Sequence, residues 1–373
     1  MNCEVHSLYF LTYDMEKLLE LDDIGLVPAQ TNSGNHESNC DYFVYDNFDG
    51  NFRSLPIFTS PMDSVVNEEN WRVYYDNLIR PILPRTTDIK IRLEGCEYIF
   101  SAFSIPEVRE NFLSFKRNSP RQFRICIDSG NGHDMEVFNI CQSLKEQYQD
   151  QALVMIGNLG NPKTYINAAK SRADYVRVGM TSGSLVSDTR GFSYPMATML
   201  LDIKGLKASA LIGEKHPKII ADGGISSRED ILKALALGAD YVMIGRQFAK
   251  MAEAAGVMFK TVKGGDGLAT EEEVPRGVVA DMTRADLEKS KIKRYYAGNT
   301  TYQIQARRDG YSDVHDWAGK RRPCDSKVDI VQVSYHIGDW LNDLYEIFTY
   351  GFTMADALKW SEFKTKINIC RIQ

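Results

Sequence analysis

Eight short apolar runs recur along the middle of the chain, and they constrain its fold more than any other feature. Most are continuously apolar rather than alternating, which is typical of strands buried on both faces of a parallel sheet. The runs are PIFTS (56–60), IRPILP (79–84), EYIFSAF (97–103), FRICIDS (123–129), ALVMIGN (152–158), ADYVRVG (173–179), PKIIADG (217–223) and ADYVMIG (239–245).

Helix-like stretches separate these runs, among them IPEVRENFLSFK, MEVFNICQSLKEQY and SREDILKALALG, the last of which closes at Gly238. Eight alternations of strand and helix predict an α/β protein of the (β/α)8 TIM-barrel type. The alternative is an open doubly wound sheet, in which a glycine-rich fingerprint is expected after the first strand. The sequence has none there, so we expect one barrel domain over residues 1–373, with an N-terminal extension.

Residues 256–325, after the eighth strand, do not continue the alternation of strand-like and helix-like stretches, because they are densely charged and contain glycine. An insertion on this side of the last strand could fold over the barrel mouth as a flap or lid. The alternative is a surface excursion with no role at the site.

Composition narrows the classes of partner. The chain has 373 residues and a net charge of −6, which provides no broad attraction to nucleic acid or to an anionic membrane. Its seven cysteines are scattered without a CxxC pair, so we expect reduced thiols in a cytoplasmic protein and no metal site. No signal peptide and no membrane-spanning run is apparent in the sequence.

Two glycine turns follow the seventh and eighth strands, which are neighbours in a barrel. Gly223 and Gly224 come just before a helix start, and Gly245 precedes Arg246. Glycines let the backbone approach a ligand, and a helix N-terminus attracts anions, so this corner is predicted to hold a phosphate. The alternative is that these glycines serve only as tight turns.

Two aspartates are the first polar residues at the ends of their strands. Asp222 follows the seventh strand and Asp128 the fourth. A carboxylate can accept hydrogen bonds from two sugar hydroxyls, so Asp222 is a candidate for a ribose and Asp128 for the ribose of a second nucleotide. An aspartate that caps the next turn is the competing interpretation.

Six motifs, in order, resemble the IMP dehydrogenase and GMP reductase family over most of the chain. The six are DDIGLVP (22–28), which resembles that family's opening segment, TSPMDSV (59–65), IDSGNGH (127–133), IGNLG (156–160), RVGMTSGS (177–184) and IIADGGI (219–225). Two further stretches, IGRQFA and KRYYAGNTT, match less well.

The resemblance implies a role for each matching residue in a purine nucleoside monophosphate site. Ser60 and Met62 would flank the nucleotide, Asn158 and Arg177 would line the base side, Asp222 would take the ribose, and Ser184, Gly223, Gly224, Gly245, Arg246 and Tyr296 would lie at the phosphate. The cofactor, NADP or NAD, would bind at Asp128, Ser129, Gly130 and Asn131. The resemblance also implies a homotetramer, and the chain has no room for the regulatory CBS modules usual in the dehydrogenases.

The sequence departs from the family at the reacting centre. The family presents a cysteine about two residues after GlySer, and its thiolate attacks the purine; this chain has Val186 there. Valine cannot act as a nucleophile. Thr181 stands where the family has a glycine whose carbonyl helps hold potassium, which argues against that ion.

Ser187 and Asp188 are the nearest candidates for a replacement nucleophile and base, and a polar loop with a capped turn is the alternative. Asp309 falls where the resemblance expects a group near the base, and it is a candidate general acid or base.

Three functions follow from these observations. The first is a purine nucleotide oxidoreductase that uses NAD or NADP. The second is a nucleotide-binding homologue that has lost the redox step. The third is an enzyme that performs non-covalent chemistry on a modified purine nucleotide.

Overall fold

The computed structural model describes residues 18–30, 39–114, 121–129, 131–179, 193–209, 216–263, 269–297 and 328–372. The strands are β1 (Ile24–Val27), β2 (Val44–Asp46), β3 (Phe52–Ser54), β4 (Ile57–Thr59), β5 (Ile82–Leu83), β6 (Phe100–Phe103), β7 (Phe123–Asp128), β8 (Ala152–Leu159), β9 (Tyr175–Val178), β10 (Lys218–Asp222), β11 (Tyr241–Ile244), β12 (Met258–Lys263), β13 (Ala269–Val274), β14 (Lys293–Ala297), β15 (Val328–Gln332) and β16 (Asn368–Arg371). The helices are α1 (Trp71–Asp76), α2 (Ile89–Gly95), α3 (Ile105–Val108), α4 (Met135–Tyr148), α5 (Tyr165–Lys170), α6 (Met196–Lys207), α7 (Arg228–Leu237), α8 (Arg246–Ala249), α9 (Arg276–Ala280), α10 (Arg284–Ser290), α11 (Ile337–Met354) and α12 (Trp360–Lys366).

The eight predicted strands are confirmed as β4 to β11, which form one parallel sheet in the order β4-β11-β10-β9-β8-β7-β6-β5. The sheet closes through Arg80, whose backbone N–H donates to the Ile57 carbonyl at 2.9 Å while its carbonyl accepts from the Thr59 N–H at 2.9 Å. The two ends of the strand order are thereby joined, and the architecture is a (β/α)8 barrel.

β5 is shorter than the apolar run that predicted it, since only Ile82 and Leu83 pair as a strand. Pro81 and Pro84 flank this pair in the sequence. Proline has no amide hydrogen to donate to a ladder, so the strand cannot extend through either position.

α7 shows why the barrel helices begin and end where they do. The Ser227 hydroxyl accepts from the Asp230 N–H, and the Asp230 carboxylate accepts from the Ser227 N–H, so both ends of this capping box satisfy backbone donors. The helix ends at Gly238, which has a φ of +117°. The predicted helix stop is therefore confirmed, because glycine adopts this left-handed conformation without strain.

A charged plug fills the N-terminal end of the barrel. Asp46, fully buried at the end of β2, accepts hydrogen bonds from Arg80, Tyr175, Tyr241 and Lys218. Burial alone would raise its pKa, but the charges of Arg80 and Lys218 lower the pKa of Asp46 to about 2. The carboxylate stays ionised, and the hairpin of β2 and β3 is fastened across this end.

The segment after β11 forms a small antiparallel sheet in the order β13-β12-β14-β15. In its register Tyr296 of β14 lies opposite Asp329 of β15. Much of the predicted insertion at 256–325 therefore has a regular structure of its own, while residues 264–268 and 298–325 lie outside the described part of the chain.

α11 packs the C-terminal segment onto the barrel. Trp340 is fully buried, stacks edge to face on Phe248 and donates from Nε1 to the Gln247 side chain at 2.9 Å. Among the described residues, no helix combines the length and apolar character needed to cross a membrane.

Candidate functional site

Polar side chains from four neighbouring strands meet at the carboxyl edge of the barrel. Asp128 ends β7, Asn158 lies near the end of β8, Arg177 lies in β9 and Asp222 ends β10. Since the carboxyl ends of parallel strands share one edge, the barrel gathers these residues at its mouth, where TIM-barrel proteins place their ligands.

Arg177 joins the two aspartates that the sequence singled out. Its Nη2 and Nε lie 2.9 and 3.0 Å from Asp222 Oδ2, and its Nη1 lies 3.0 Å from Asp128 Oδ1. The arginine is only 6% exposed. Although burial alone would lower it, the charges of Asp222 and Asp128 raise the pKa of Arg177, so its guanidinium remains charged.

The hydrogen bonds that Asp222 accepts from described side chains all reach one of its two carboxylate oxygens. Asn158 Nδ2 donates to Oδ2 at 2.7 Å, the same oxygen that accepts from Arg177. Within the described residues no hydrogen bond reaches Oδ1. The carboxylate is held in a fixed orientation and still has an oxygen to offer a ligand hydroxyl.

Asn158 is positioned by the strand next to its own. Its Nδ2 also donates to the Gly179 carbonyl at 2.9 Å. Gly179 has a φ of +113°, and a Cβ there would collide with the Asp222 carbonyl oxygen. Glycine is therefore required where β9 leaves the barrel beside Asp222.

Cys126 lies beneath this cluster and is fully buried. Burial, with Asp128 and Asp222 nearby, raises the pKa of the Cys126 thiol to about 12 in spite of the Arg177 charge. A thiol with such a pKa is not a thiolate near neutral pH. Cys126 is therefore no substitute for an attacking cysteine.

The predicted phosphate corner is assembled from residues on separate elements. Gly223 and Gly224 have φ values of +108° and +74°, conformations that suit glycine. A Cβ on Gly245 would collide with the Tyr296 hydroxyl and lie 3.4 Å from both the Ser60 Cβ and the Met62 sulfur. The structure thus brings Ser60, Met62, Gly245 and Tyr296 together.

The start of α7 is less open to an anion than the sequence suggested. Asp230 Oδ2 accepts from the backbone N–H groups of Ser226 and Ser227 at 2.9 and 2.8 Å. These two amides are occupied by the helix's own carboxylate, so a phosphate at this corner would have to use the glycine amides before them.

Arg246 already has a partner in this structure. Its Nη1 forms an ion pair with Asp329 of β15. Asp329 was absent from the predicted site, and no signal in the sequence pairs it with a residue 83 positions away.

The loop after β7 is held against the loop after β8. The Gly160 N–H donates to His133 Nε2 at 2.9 Å, and His133 Nδ1 lies 2.9 Å from the Thr164 hydroxyl. A Cβ on Gly132 would overlap the backbone of Asn158. Burial lowers the pKa of His133, which keeps the ring neutral as an acceptor. The GNGH run, which contains His133, is the sequence signal that could have indicated these contacts between the two loops.

The predicted cofactor residues at this loop form a turn on the mouth's edge. Ser129 is half-buried and Asn131 is exposed, and the Asn131 N–H donates to the Ser129 hydroxyl at 3.3 Å. Arg85, which the sequence reasoning missed, donates to the Asp128 carbonyl at 3.3 Å from the end of β5.

Several predicted residues lie outside the described part of the chain. They are Gly130, Thr181, Ser184, Val186, Ser187, Asp188 and Asp309. Among the residues that are described, no group of three His, Cys, Asp or Glu side chains could hold a metal ion.

A cavity of about 410 Å³ borders this end of the barrel between the loops after β4 and β5 and the β12–β13 sheet. Its lining includes Asp63, Glu68, Glu69 and Glu273, with Arg276 as a cation. Because carboxylates dominate, it is a poor place for a phosphate group.

Comparisons with known proteins agree with this geometry. Residues 123–303 match the model of the IMP dehydrogenase / GMP reductase domain. The chain is 29% identical to a GMP reductase of Bacillus licheniformis over 254 residues, which cover 65% of this chain and 74% of that protein. A GMP reductase of Shouchella clausii is 25% identical over 87% of this chain and 98% of its own length. An inosine-5'-monophosphate dehydrogenase of Chlorobaculum parvum is 34% identical over 35% of this chain and 26% of its own length.

Proposed function

Because the chain belongs to the IMP dehydrogenase / GMP reductase family, we propose that its barrel mouth binds a purine nucleoside monophosphate, with a nicotinamide dinucleotide beside it. The observation that carries the proposal is Arg177, which fixes Asp222 and Asp128 at 2.9 and 3.0 Å on opposite sides of one guanidinium. Two carboxylates oriented by one buried cation suit two ribose rings that lie next to each other.

In the nucleotide half, Asp222 accepts the ribose hydroxyls through Oδ1, since its other oxygen is occupied by Asn158 and Arg177. The phosphate binds the amides of Gly223, Gly224 and Gly245. The remaining proposed contacts are Ser184, Arg246 and Tyr296 at the phosphate and Ser60, Met62 and Asn158 at the base.

In the cofactor half, Asp128 holds the nicotinamide ribose, and Ser129, Gly130 and Asn131 form the adjoining loop. NAD or NADP, when bound, supplies or accepts the hydride. The residues of this chain bind and orient it: Arg177 and Arg85 fix Asp128, and His133 fixes the loop against β8.

Val186 favours a second function, a nucleotide-binding homologue that has lost the redox step. Neither Val186 nor the buried Cys126 can supply the thiolate that the family's covalent step uses. Where a chemical step occurs, the groups proposed to carry it are Ser187 with Asp188 as its base and Asp309 as a general acid or base.

We further propose that residues 256–325 act as a lid of a single barrel domain and that the protein is a homotetramer. The support for the lid is β14, which places Tyr296 against Gly245. Its partner strand β15, which follows this segment, places Asp329 beside Arg246. Light scattering coupled to size exclusion would measure the mass of the assembly.

Titration calorimetry with IMP and GMP, alongside turnover of IMP with NAD and of GMP with NADPH, tests both functions. Binding with turnover supports the oxidoreductase, while binding without turnover supports the redox-inactive homologue. Asp222→Ala should weaken nucleotide binding by about tenfold or more, since it removes hydrogen bonds to a charged group. Asp76→Ala, an exposed aspartate at the end of α1, is the matched control. If no purine nucleotide binds the intact protein, the proposal is wrong.

A Val186→Cys variant distinguishes the two functions further. Turnover that appears only in this variant would show that the rest of the redox site is intact. Continued inactivity, with nucleotide affinity unchanged, would show that the loss extends beyond the missing thiol.

A further inference from the structure

We propose that the N-terminal end of the barrel carries a separate ligand site, which takes a nucleoside phosphate through a lysine cluster and an apolar floor. The site is a cavity of about 510 Å³ between the β2–β3 hairpin, the end of α6 and the segments that lead into β10 and β11. This volume lies in the range of small-ligand pockets. β10 runs from Lys218 at this end to Asp222 at the mouth, so about 13 Å of strand separates the two sites.

Cations outnumber anions around this cavity, which we call the basal cavity. Lys207 and Lys364 share Asp240, at 3.3 and 3.8 Å. Lys218 pairs with Asp46 at 2.7 Å, but Asp46 already serves the buried Arg80. Asp49 also pairs with Arg80, and it binds Arg124 as well. Three carboxylates therefore face five cations, and an added anion would relieve the excess.

The neighbouring lysines act on one another electrostatically. Burial lowers the pKa of Lys364, Asp240 opposes that change, and Lys207, Lys204 and Lys218 lower the pKa further. Mutual repulsion of this kind is what a bound phosphate would remove.

The basal cavity also holds a polar atom that the fold leaves unsatisfied. His216 Nδ1 is buried, and no described residue forms a hydrogen bond with it. A buried polar atom without a partner is costly, which is a reason to expect a ligand or a bound water there. A phosphate oxygen could accept from this nitrogen.

Phe48 and Pro217 supply the apolar part of the lining. The Phe48 ring is half-buried, with the Lys218 ammonium 5.0 Å from its centroid. Inorganic phosphate would use the lysines alone, whereas a ligand with a planar ring would also cover this floor. The combination identifies a nucleoside phosphate as the class of ligand.

Lysine acetylation, mapped by peptide mass spectrometry, tests the site locally and independently of the mouth. The probes are ATP, inorganic tripolyphosphate and adenosine. At ATP about four times above its Kd, mass action predicts about fivefold slower acetylation of Lys207 and Lys218, the two lysines that line the cavity. Tripolyphosphate should protect them more weakly, and adenosine should not protect them measurably. Lys289 on the remote α10 is the control within the same sample.

Two outcomes would overturn the proposal. One is no protection of Lys207, or the same protection at Lys289, which would be general charge screening. The other is tripolyphosphate protecting as well as ATP, which would remove the role of the apolar floor.

Variants provide a second measurement. Lys207→Gln and His216→Gln should each raise the Kd for ATP at this site by about tenfold, as expected for lost hydrogen bonds to a charged group. Lys289→Gln should leave it unchanged. Circular dichroism melts establish that each variant is folded, and unchanged affinity in both folded variants would contradict the site.

Discussion

Asp329 of β15 forms an ion pair with Arg246, the arginine at the predicted phosphate corner. Arg246 begins α8, whereas Asp329 lies in β15 of the small sheet, and each is about one-third exposed. A carboxylate thus stands where a phosphate would otherwise pair with this arginine. A phosphate bound at the proposed corner would compete with Asp329 for this arginine.

Asp329→Asn should therefore raise the affinity for a purine nucleoside monophosphate. An exposed ion pair contributes little, so the expected gain is about threefold, corresponding to less than about 1 kcal/mol. Titration calorimetry measures it, with Glu288→Gln on α10 as the control. An unchanged or weaker affinity in Asp329→Asn would show that this pair does not compete with the phosphate.

Arg177→Met should destabilise the protein, because it leaves Asp128 and Asp222 facing each other without their shared cation. Removing one partner of a buried ion pair costs about 3 to 5 kcal/mol in the free energy of unfolding. Urea denaturation measures the loss. Arg284→Met, which breaks an exposed pair with Asp343, should cost less than about 1 kcal/mol. Equal losses in the two variants would contradict the bridging role of Arg177.

Gly245→Ala should disturb the corner through one contact, the collision of the new Cβ with the Tyr296 hydroxyl. We expect a loss of about 1 to 3 kcal/mol, typical of overpacking. Tyr296→Phe removes the oxygen in question, so the double variant should recover much of that stability. Thermal unfolding of the four proteins in the cycle gives the coupling energy. If the stability effects of the two substitutions simply add, the new Cβ does not collide with the Tyr296 hydroxyl.

The lowered pKa of Asp46 predicts that the fold loses stability in acid. Its pKa is lowered from 3.8 to about 2 by Arg80 and Lys218, against the effect of burial. A carboxyl group with a lowered folded-state pKa stabilises the fold above its unfolded-state pKa, so this stability is present above about pH 4 and is lost as the pH falls towards 2. The shift corresponds to about 2 kcal/mol.

Denaturation between pH 5 and pH 2 in wild type and in Asp46→Asn checks this prediction. The variant should be less stable at pH 5, because Arg80 loses one of its two buried carboxylate partners, Asp46 and Asp49. It should also lose less stability on acidification. If stability falls equally with pH in the two proteins, Asp46 is not the cause of the loss of stability in acid.

The barrel was predictable because its strands are buried on both faces and so read as continuous apolar runs. The helix stop at Gly238 was predictable for a similarly local reason, since glycine marks a left-handed cap. The length of β5 followed from two prolines that the pattern of apolar residues had ignored. The location of Asp128 and Asp222 at the mouth follows from their positions at strand ends.

What the sequence did not provide is the set of contacts between strand ends. That Arg177 spans Asp128 and Asp222 depends on how β7, β9 and β10 are staggered, and no local pattern encodes that stagger. The same holds for Arg246 with Asp329 and for the charged plug around Asp46. The helix start after Gly223 and Gly224 was expected to attract an anion, but Asp230 accepts from its Ser226 and Ser227 amides, because a capping box satisfies its own helix first.

A crystal structure of the protein with GMP or IMP tests the central claim most directly. We predict that the ribose hydroxyls lie within hydrogen-bond distance of Asp222 Oδ1 and that the phosphate contacts the amides of Gly224 and Gly245. A nucleotide bound elsewhere, or bound at the mouth with its phosphate away from both glycines, would contradict the account.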